Sequence, residues 1–177
     1  MSGKLRTFML TLLVALPADQ LAKLAIERRV PYGARLPVLD SFFYLTHVRN
    51  PGAAFGLFTS ASEEWRLLGF AVVSLVAALV IASLYRRLAP GDRATSCFLA
   101  LIGAGAFSNF IDRAMRGEVV DYLHFRLWGG YDWPDFNLAD TFIVVGVAAL
   151  IVELLSEEAV ARAGRAQGEA VSDAERD

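Results

Sequence analysis

The longest apolar run of the chain extends over nineteen residues, from Leu67 to Tyr85, without an Asp, Glu, Lys, Arg or His. As a helix rising about 1.5 Å per residue, it would be about 28 Å long, close to the thickness of the hydrocarbon core of a bilayer. The chain is 55% hydrophobic, with a mean hydropathy of +0.44. A membrane protein is therefore predicted. The formal net charge of -2, without a basic cluster, argues against a nucleic-acid partner.

Three further apolar segments predict additional spans at about 8–26, 95–111 and 138–155. The expected fold class is an all-α membrane protein with four transmembrane helices, which form one domain over residues 1–155. Residues 156–177 are polar and rich in Ala, Glu and Arg. We expect this segment to be a disordered cytoplasmic tail.

The first span has a second interpretation, because it contains Pro17 and two charged residues. Lys4 and Arg6 precede the apolar stretch Thr7–Leu16, which is also the pattern of a cleaved signal peptide. Apolar residues continue at helical spacing as far as Ile26, which favours a span. N-terminal sequencing of the mature protein distinguishes the two.

The positive charges give only a slight preference for one orientation in the membrane. Lys and Arg divide evenly between the two sides, but the short turn "RRLAPGDRA" holds three arginines in nine residues. Short basic loops stay in the cytoplasm, so we place both termini inside. The long connections 27–64 and 114–137 are then extracytoplasmic.

The unusual polar side chains of the spans gather at the outer ends of the helices. They are Asp19 and Lys23 in the first span, Asn109, Asp112 and Arg113 at the end of the third, and Asn137 and Asp140 at the start of the fourth. A charge inside a bilayer is costly, so such groups are candidates for function. A transporter needs polar groups near the midplane. The clustering favours a site open to the outer leaflet, and a small ion-coupled transporter or binding protein using Asp19, Asp112 and Asp140 is the alternative.

The two outer connections carry the patterns of extended strands. Residues 38–48 are rich in β-branched and aromatic side chains, and a turn is predicted at Asn50–Gly52, followed by the small residues Ala53 and Ala54. In the second connection, alternation over 119–127 places Asp121 on an apolar face. A small extracytoplasmic β element is therefore expected. The aromatic residues that follow it suggest an interfacial belt: Trp128, Tyr131, Trp133 and Phe136.

Asp121 and Asp140 are candidates for a catalytic carboxylate pair. Two close carboxylates cannot easily both ionise, so one keeps a proton while the other activates a water. Each residue also has a structural interpretation. Asn137 is a plausible N-cap, which puts Asp140 in a favoured first-turn position. Asp121 could instead pair with an arginine: Arg113, Arg116 or Arg126.

Other catalytic chemistries have weaker signals. His47 and His124 stand singly and Cys97 is the sole cysteine, so we predict neither a metal site nor a cofactor. A Ser-Lys dyad of Ser108 and Lys23 is an alternative source of a nucleophile.

Five segments, taken in order, resemble the lipoprotein signal peptidases (signal peptidase II), bacterial membrane aspartyl proteases. The segments are "DQLAK" (19–23), "RNPGAAF" (49–55), "AGAFSNFIDR" (104–113), "GEVVDY" (117–122) and "FNLAD" (136–140). The resemblance covers about residues 10–155. It departs from the family pattern at Ala104 and Ser108, where glycine is usual.

The resemblance implies an aspartic endopeptidase that cleaves prolipoproteins on the N-terminal side of a diacylglyceryl-modified cysteine. It implies that Asp121 and Asp140 are catalytic. It also implies roles for residues around them: Asn50, Gly52, Asn109, Arg113 and Asn137 lining the site, and Asp19, Lys23 and Asp112 in its polar surround. The expected setting is a monomer in the bacterial inner membrane, in contact with lipid and with its site facing the outer leaflet. A catalytically inactive binding protein of the same family is a further alternative.

Overall fold

Four long helices and one small sheet make up the described part of the chain, residues 2–52 and 62–174 of a computed structural model. The elements in chain order are α1 (Gly3–Arg29), β1 (Arg35–Leu39), β2 (Phe43–Asn50), α2 (Glu63–Arg87), α3 (Ala94–Arg116), β3 (Val119–Phe125), a 3-10 turn (Trp128–Gly130) and α4 (Leu138–Ala174). All four α-helices are long and apolar enough to cross a membrane. The predicted four-helix fold with a small β element is confirmed.

Each helix is longer than the apolar run that predicted it, because helical structure continues into the flanking polar residues. The difference is largest in α4, which continues to Ala174. The expectation of a disordered tail is therefore wrong for residues 156–174. Ala, Glu and Arg are strong helix formers, and Arg162 pairs with Glu158 one turn earlier.

The central helix is α3, which packs against each of the other three. Gly105 permits its close approach to α4, since a Cβ there would lie 2.3 Å from the Ala139 carbonyl oxygen. Gly146 does the same from α4, where a Cβ would lie 2.7 Å from Cγ1 of Ile102. Small residues at helix crossings are typical of membrane bundles. This close packing positions the first turn of α4 against the last turns of α3.

The polarity of the bundle is the reverse of that in a water-soluble protein. Large apolar side chains such as Leu79 and Val144 are exposed on the outside, while Asp19, Lys23 and Asp112 are fully buried. Lipid solvates apolar surface, and ions in a bundle face its interior. The distribution fits a multi-pass membrane protein.

The three strands form an antiparallel sheet in the order β1-β2-β3. Both faces of β3 are buried: on one, Val120 and Tyr122 pack against Ile26 of α1 and against Val30, the residue after that helix, and on the other, Val119 and Asp121 are buried as well. Asp121 therefore lies on a buried face, as predicted, and the opposite face of β3 is shielded from solvent as well. A bulge in β2 between Leu45 and Val48 shifts the register beside Asp121.

The edge of β3 that faces away from β2 is hydrogen-bonded to the segment just before α4. The N–H groups of Tyr122 and Leu123 both donate to the Phe136 carbonyl, at 2.9 and 2.8 Å. The Tyr122 hydroxyl accepts the N–H of Leu138 at 3.2 Å. Residue 137 is consequently fixed next to residue 121, although 16 positions separate them in sequence.

Candidate active site

Asp121 is 3% exposed, and its carboxylate is held by two amides. Asn50 Nδ2 donates to Oδ2 at 3.0 Å, and Asn137 Nδ2 donates to Oδ1 at 2.7 Å. Within the described residues no arginine forms an ion pair with Asp121. Arg116 pairs instead with Asp112 and Glu27, and Arg126 pairs with Asp132. The ion-pair interpretation of Asp121 is therefore not supported.

Burial raises the pKa of the Asp121 carboxyl to about 7. The hydrogen bonds from Asn50 and Asn137 oppose this shift, because they favour the charged form, while the nearby charge of Asp140 adds to it. The side chain is therefore poised to exchange a proton near neutral pH.

Asp140 lies in the first turn of α4 and takes part in a reciprocal capping arrangement. The Asp140 N–H donates to Asn137 Oδ1 at 3.0 Å, and the Asn137 N–H donates to Asp140 Oδ2 at 3.2 Å. The predicted capping role of Asn137 is confirmed. The remaining oxygen of Asp140, Oδ1, accepts Asn109 Nδ2 at 2.8 Å, so capping leaves Asp140 within the polar cluster.

One residue, Asn137, connects the two aspartates. Its side-chain Nδ2 binds the carboxylate of Asp121, while its side-chain Oδ1 and backbone N–H bind Asp140. Because a single amide contacts both residues, their separation and relative orientation are set together. This arrangement is suited to two carboxylates that act on one substrate group.

Behind this pair lies a buried ionic cluster centred on Lys23. Its Nζ is 2.6 Å from Asp19 Oδ2 and 2.7 Å from Asp112 Oδ2, and it donates to Asn109 Oδ1 at 2.9 Å. The bond to Asn109 orients that amide, so that its Nδ2 faces Asp140. Asp112 is thus part of a buried network.

The other end of the cluster reaches the backbone of α4. Asp19 Oδ1 accepts the N–H of Ala139 at 3.0 Å, and Asp19 Oδ2 accepts the Ser108 hydroxyl at 2.7 Å. No hydrogen bond between Ser108 and Lys23 is present in the described part, and Ser108 is fully buried. The Ser-Lys interpretation therefore has no support. The serine hydroxyl is accommodated by hydrogen bonds within the cluster.

Arg113 lies at the edge of the site and stabilises the turn after β2. Its Nη2 donates to the Gly52 carbonyl at 3.0 Å, and its guanidinium carbon lies 3.9 Å from the centre of the Phe70 ring. The Gly52 N–H donates to Asn50 Oδ1 at 3.0 Å, which makes the predicted turn. Ala53 and Ala54 lie outside the described residues.

A cavity of about 710 Å³ opens in front of the two aspartates. Its polar wall contains five of the predicted site residues: Asn50, Asn109, Arg113, Asp121 and Asp140. Its apolar wall comes from α4 and from the aromatic segment, defined here as residues 131–136. Asn137 lies behind the carboxylates, and the Lys23 cluster is deeper still.

The predicted absence of a metal site has no contrary observation, since no group of three or more potential ligands occurs among the described residues. His47 Nδ1 lies 2.8 Å from the Val30 carbonyl oxygen, while His124 lies between Asp132 and Asp135. Both histidines are buried within the sheet region.

Sequence reasoning missed Gln20, which donates to Ser108 Oγ at 2.8 Å and to Asp112 Oδ1 at 2.9 Å. Its position between Asp19 and Lys23 in "DQLAK" was the available signal. It also missed the bridging role of Asn137, because a side chain that contacts two partners leaves no periodic pattern.

Fold and site together define a multi-pass membrane protein with two carboxylates, the buried Asp121 and the half-buried Asp140, next to an open cavity. Residues 11–156 match the sequence model of the family described as signal peptidase (SPase) II. The chain belongs to this family, whose members are peptidases, and the resemblance noted from the five segments is confirmed.

Similar proteins named lipoprotein signal peptidase occur in several bacteria. The protein from Geobacter sulfurreducens is 42% identical over 86% of this chain and 94% of its own length. The protein from Burkholderia vietnamiensis is 44% identical over 87% of this chain and 90% of its own length. A bacterial membrane enzyme solved by the in meso method at 2.3 Å resolution superposes with a TM-score of 0.76 and 30% identity, over 86% of this chain and 89% of that one. Nothing here favours the transporter alternative.

Proposed function

We propose that this chain is an aspartic endopeptidase that removes the signal peptide of prolipoproteins, cutting on the N-terminal side of a diacylglyceryl-modified cysteine. The observation that carries the proposal is the link from Asp121 through Asn137 to Asp140 at the wall of a large cavity. Family membership supplies the substrate class.

In the proposed reaction, Asp140 is the base and Asp121 the acid. Asp140 takes a proton from a water molecule, whose oxygen attacks the scissile carbonyl carbon, while protonated Asp121 donates to the carbonyl oxygen. The tetrahedral intermediate then breaks its C–N bond: Asp140 returns its proton to the leaving amine, and Asp121 takes back a proton from a hydroxyl of the intermediate, which gives the carboxylic acid and restores the starting protonation states. The raised pKa of Asp121 supports its assignment as the proton carrier. The helix dipole at the first turn of α4 favours negative charge on Asp140.

The other site residues position these groups. Asn137 and Asn109 orient the carboxylates, and the cluster of Asp19, Lys23 and Asp112 orients Asn109. Arg113 holds the turn at Gly52 through Nη2 and donates from Nη1 to the Asn109 carbonyl at 3.3 Å, and the second N–H of each of these two nitrogens is the group we assign to a substrate carbonyl. Asn50 donates to Asp121, so we assign it the role of holding the acid.

The proposed setting is the bacterial inner membrane, with both termini in the cytoplasm, residues 1–155 as one domain, and the site at the outer leaflet. A lipid-anchored substrate could then reach the cavity by lateral diffusion. The exposed rings of Trp128, Tyr131 and Trp133 support an interfacial position for this end of the bundle. We propose that a monomer suffices, because both aspartates and their partners come from one chain.

The substrate assignment predicts that purified protein cleaves a precursor peptide carrying diacylglyceryl on its cysteine and leaves the unmodified peptide intact. Mass spectrometry of the products identifies the cut, which we expect immediately before the modified cysteine. Equal cleavage of both peptides would contradict the proposed specificity, and cleavage of neither would contradict the proposed activity.

The proton assignment predicts a loss of kcat/KM as the pH rises through about 7, approaching about tenfold per pH unit, because Asp121 then loses its proton. The ordinary pKa of the group is 3.8, so between pH 3.8 and about pH 7 Asp121 is protonated in the folded protein and ionised in the unfolded chain. Stability from this group therefore also falls as the pH rises through that window. Comparing Tm against pH for wild type and Asp121→Asn tests this, and identical pH profiles would refute the assignment.

A further inference from the structure

A second depression lies beside the catalytic cavity, on the lipid-facing side of α4. We call it the α4 groove. It has a volume of about 450 Å³ and is lined by Phe125, Leu127, Trp133, Phe136, Asp140, Thr141, Val144 and Val145. The groove and the catalytic cavity share four of these residues: Trp133, Phe136, Asp140 and Val144. An occupant of the groove would therefore lie directly next to the catalytic carboxylate of Asp140.

The carboxylate and the hydroxyl group in the α4 groove are already hydrogen-bonded. Besides the indole N–H of Trp133, only Asp140 and Thr141 among its lining residues have a polar side-chain group, and the Thr141 hydroxyl donates to the Asn137 carbonyl at 3.0 Å. The two oxygens of Asp140 accept from Asn109 and from the N–H of Asn137. A peptide at membrane depth needs partners for every backbone N–H and C=O. Little in this groove can supply them, whereas the catalytic cavity contains the guanidinium group of Arg113.

A hydrocarbon chain has no such requirement, and the groove has the room for one. At about 30 Å³ per small group, 450 Å³ accommodates on the order of fifteen methylene-sized groups. Thr141 and Val145 lie one turn apart on the same face of α4, so the groove continues along the helix toward the bilayer. Val145 is 51% exposed, which leaves this path open to lipid.

We infer that the α4 groove is the subsite for one acyl chain of the diacylglyceryl group on the substrate cysteine. This inference rests on the proposed function, since it names where the lipid of that substrate lies. The bilayer is as apolar as the groove, so binding here adds little hydrophobic free energy. The groove instead directs the chain along α4, which places the modified cysteine beside Asp140.

Trp133 provides a direct probe of occupancy, because it lines both the groove and the cavity and is 49% exposed. The test protein carries Trp65→Phe and Trp128→Phe, which leaves Trp133 as its sole tryptophan, and Asp121→Asn, which prevents turnover. An equimolar precursor peptide with brominated acyl chains is added in unbrominated detergent. We expect quenching of the Trp133 fluorescence.

Two matched substitutions on one face of α4 separate the groove from the general lipid surface. Val145→Phe fills the groove and should abolish the quenching. Val152→Phe makes the same change two turns further along, at a residue that is 62% exposed and outside the groove, and should preserve it. Absent quenching, or quenching that survives Val145→Phe, would overturn the inference. Cleavage is measured separately, on protein that retains Asp121. If that protein does not cleave the precursor while the Asp121→Asn protein shows the expected quenching, the proposed activity is refuted and the subsite is not.

Discussion

Replacing Asp121 or Asp140 by asparagine is expected to lower the cleavage rate of a lipid-modified precursor by about 10³-fold or more, the range typical of losing a general acid or base. Asparagine has nearly the same shape as aspartate, so it fills the same space. It cannot carry the exchanged proton, however, and its NH₂ group cannot accept the hydrogen bonds that Asn50 and Asn109 donate. Activity is lost because proton transfer is lost.

The same substitution at Asp40, an exposed residue of the turn between β1 and β2, serves as the control. Asp40→Asn should cleave at the wild-type rate, and all three variants should insert into membranes in equal amounts. The two catalytic changes should not be additive, because the aspartates act as one unit on one water. Near-normal cleavage by Asp121→Asn in properly inserted protein would show that the acid is another group.

Replacing Lys23 by methionine is expected to destabilise the protein by about 3–5 kcal/mol, the range for removing one partner of a buried ion pair. Lys23 is 0% exposed and contacts two carboxylates, Asp19 and Asp112. Methionine fills the space but provides no charge, which leaves Asp19 without a cation. For a chain of this size we expect Tm in detergent to fall by on the order of 10 °C.

A second substitution separates the charge effect from a packing effect. Asp19→Asn in the Lys23→Met background removes the uncompensated charge, and asparagine Oδ1 can still accept the Ala139 N–H. The double variant should therefore recover part of the lost stability. The stability of Asp19→Asn alone is measured for comparison. If the double variant loses as much stability as the two single variants together, or if Lys23→Met leaves Tm unchanged, the cluster does not stabilise the fold in the way described.

The spans and the location of the site could be predicted because the bilayer imposes strong rules on sequence. Apolar runs located all four helices, and the few charges near their outer ends indicated the candidate site. Asp121 could be placed on a buried face because strand alternation is simple. The sequence allowed either a capping or a site role for Asp140. In the structure it has both positions, because it pairs with the capping residue Asn137, which also binds Asp121.

Contacts that depend on the distances between helices could not be predicted. Ser108 and Gln20 are 88 residues apart, yet they share a hydrogen bond across α1 and α3. The need for glycine at 146 follows from where α3 approaches α4, which no local pattern reveals. The helical extension beyond residue 155 was missed because polar composition was taken to mean disorder, although the same residues favour helix.

The central claim is that Asp121 and Asp140 together hydrolyse the bond before a lipid-modified cysteine. The most direct test is the initial rate of cleavage of one diacylglyceryl-modified precursor by wild type, Asp121→Asn and Asp140→Asn, each purified in the same detergent and matched for folded protein. We predict cleavage by the wild type alone, with both variants slower by about 10³-fold or more. An intact precursor in all three samples, or either variant cleaving at the wild-type rate, would contradict the claim.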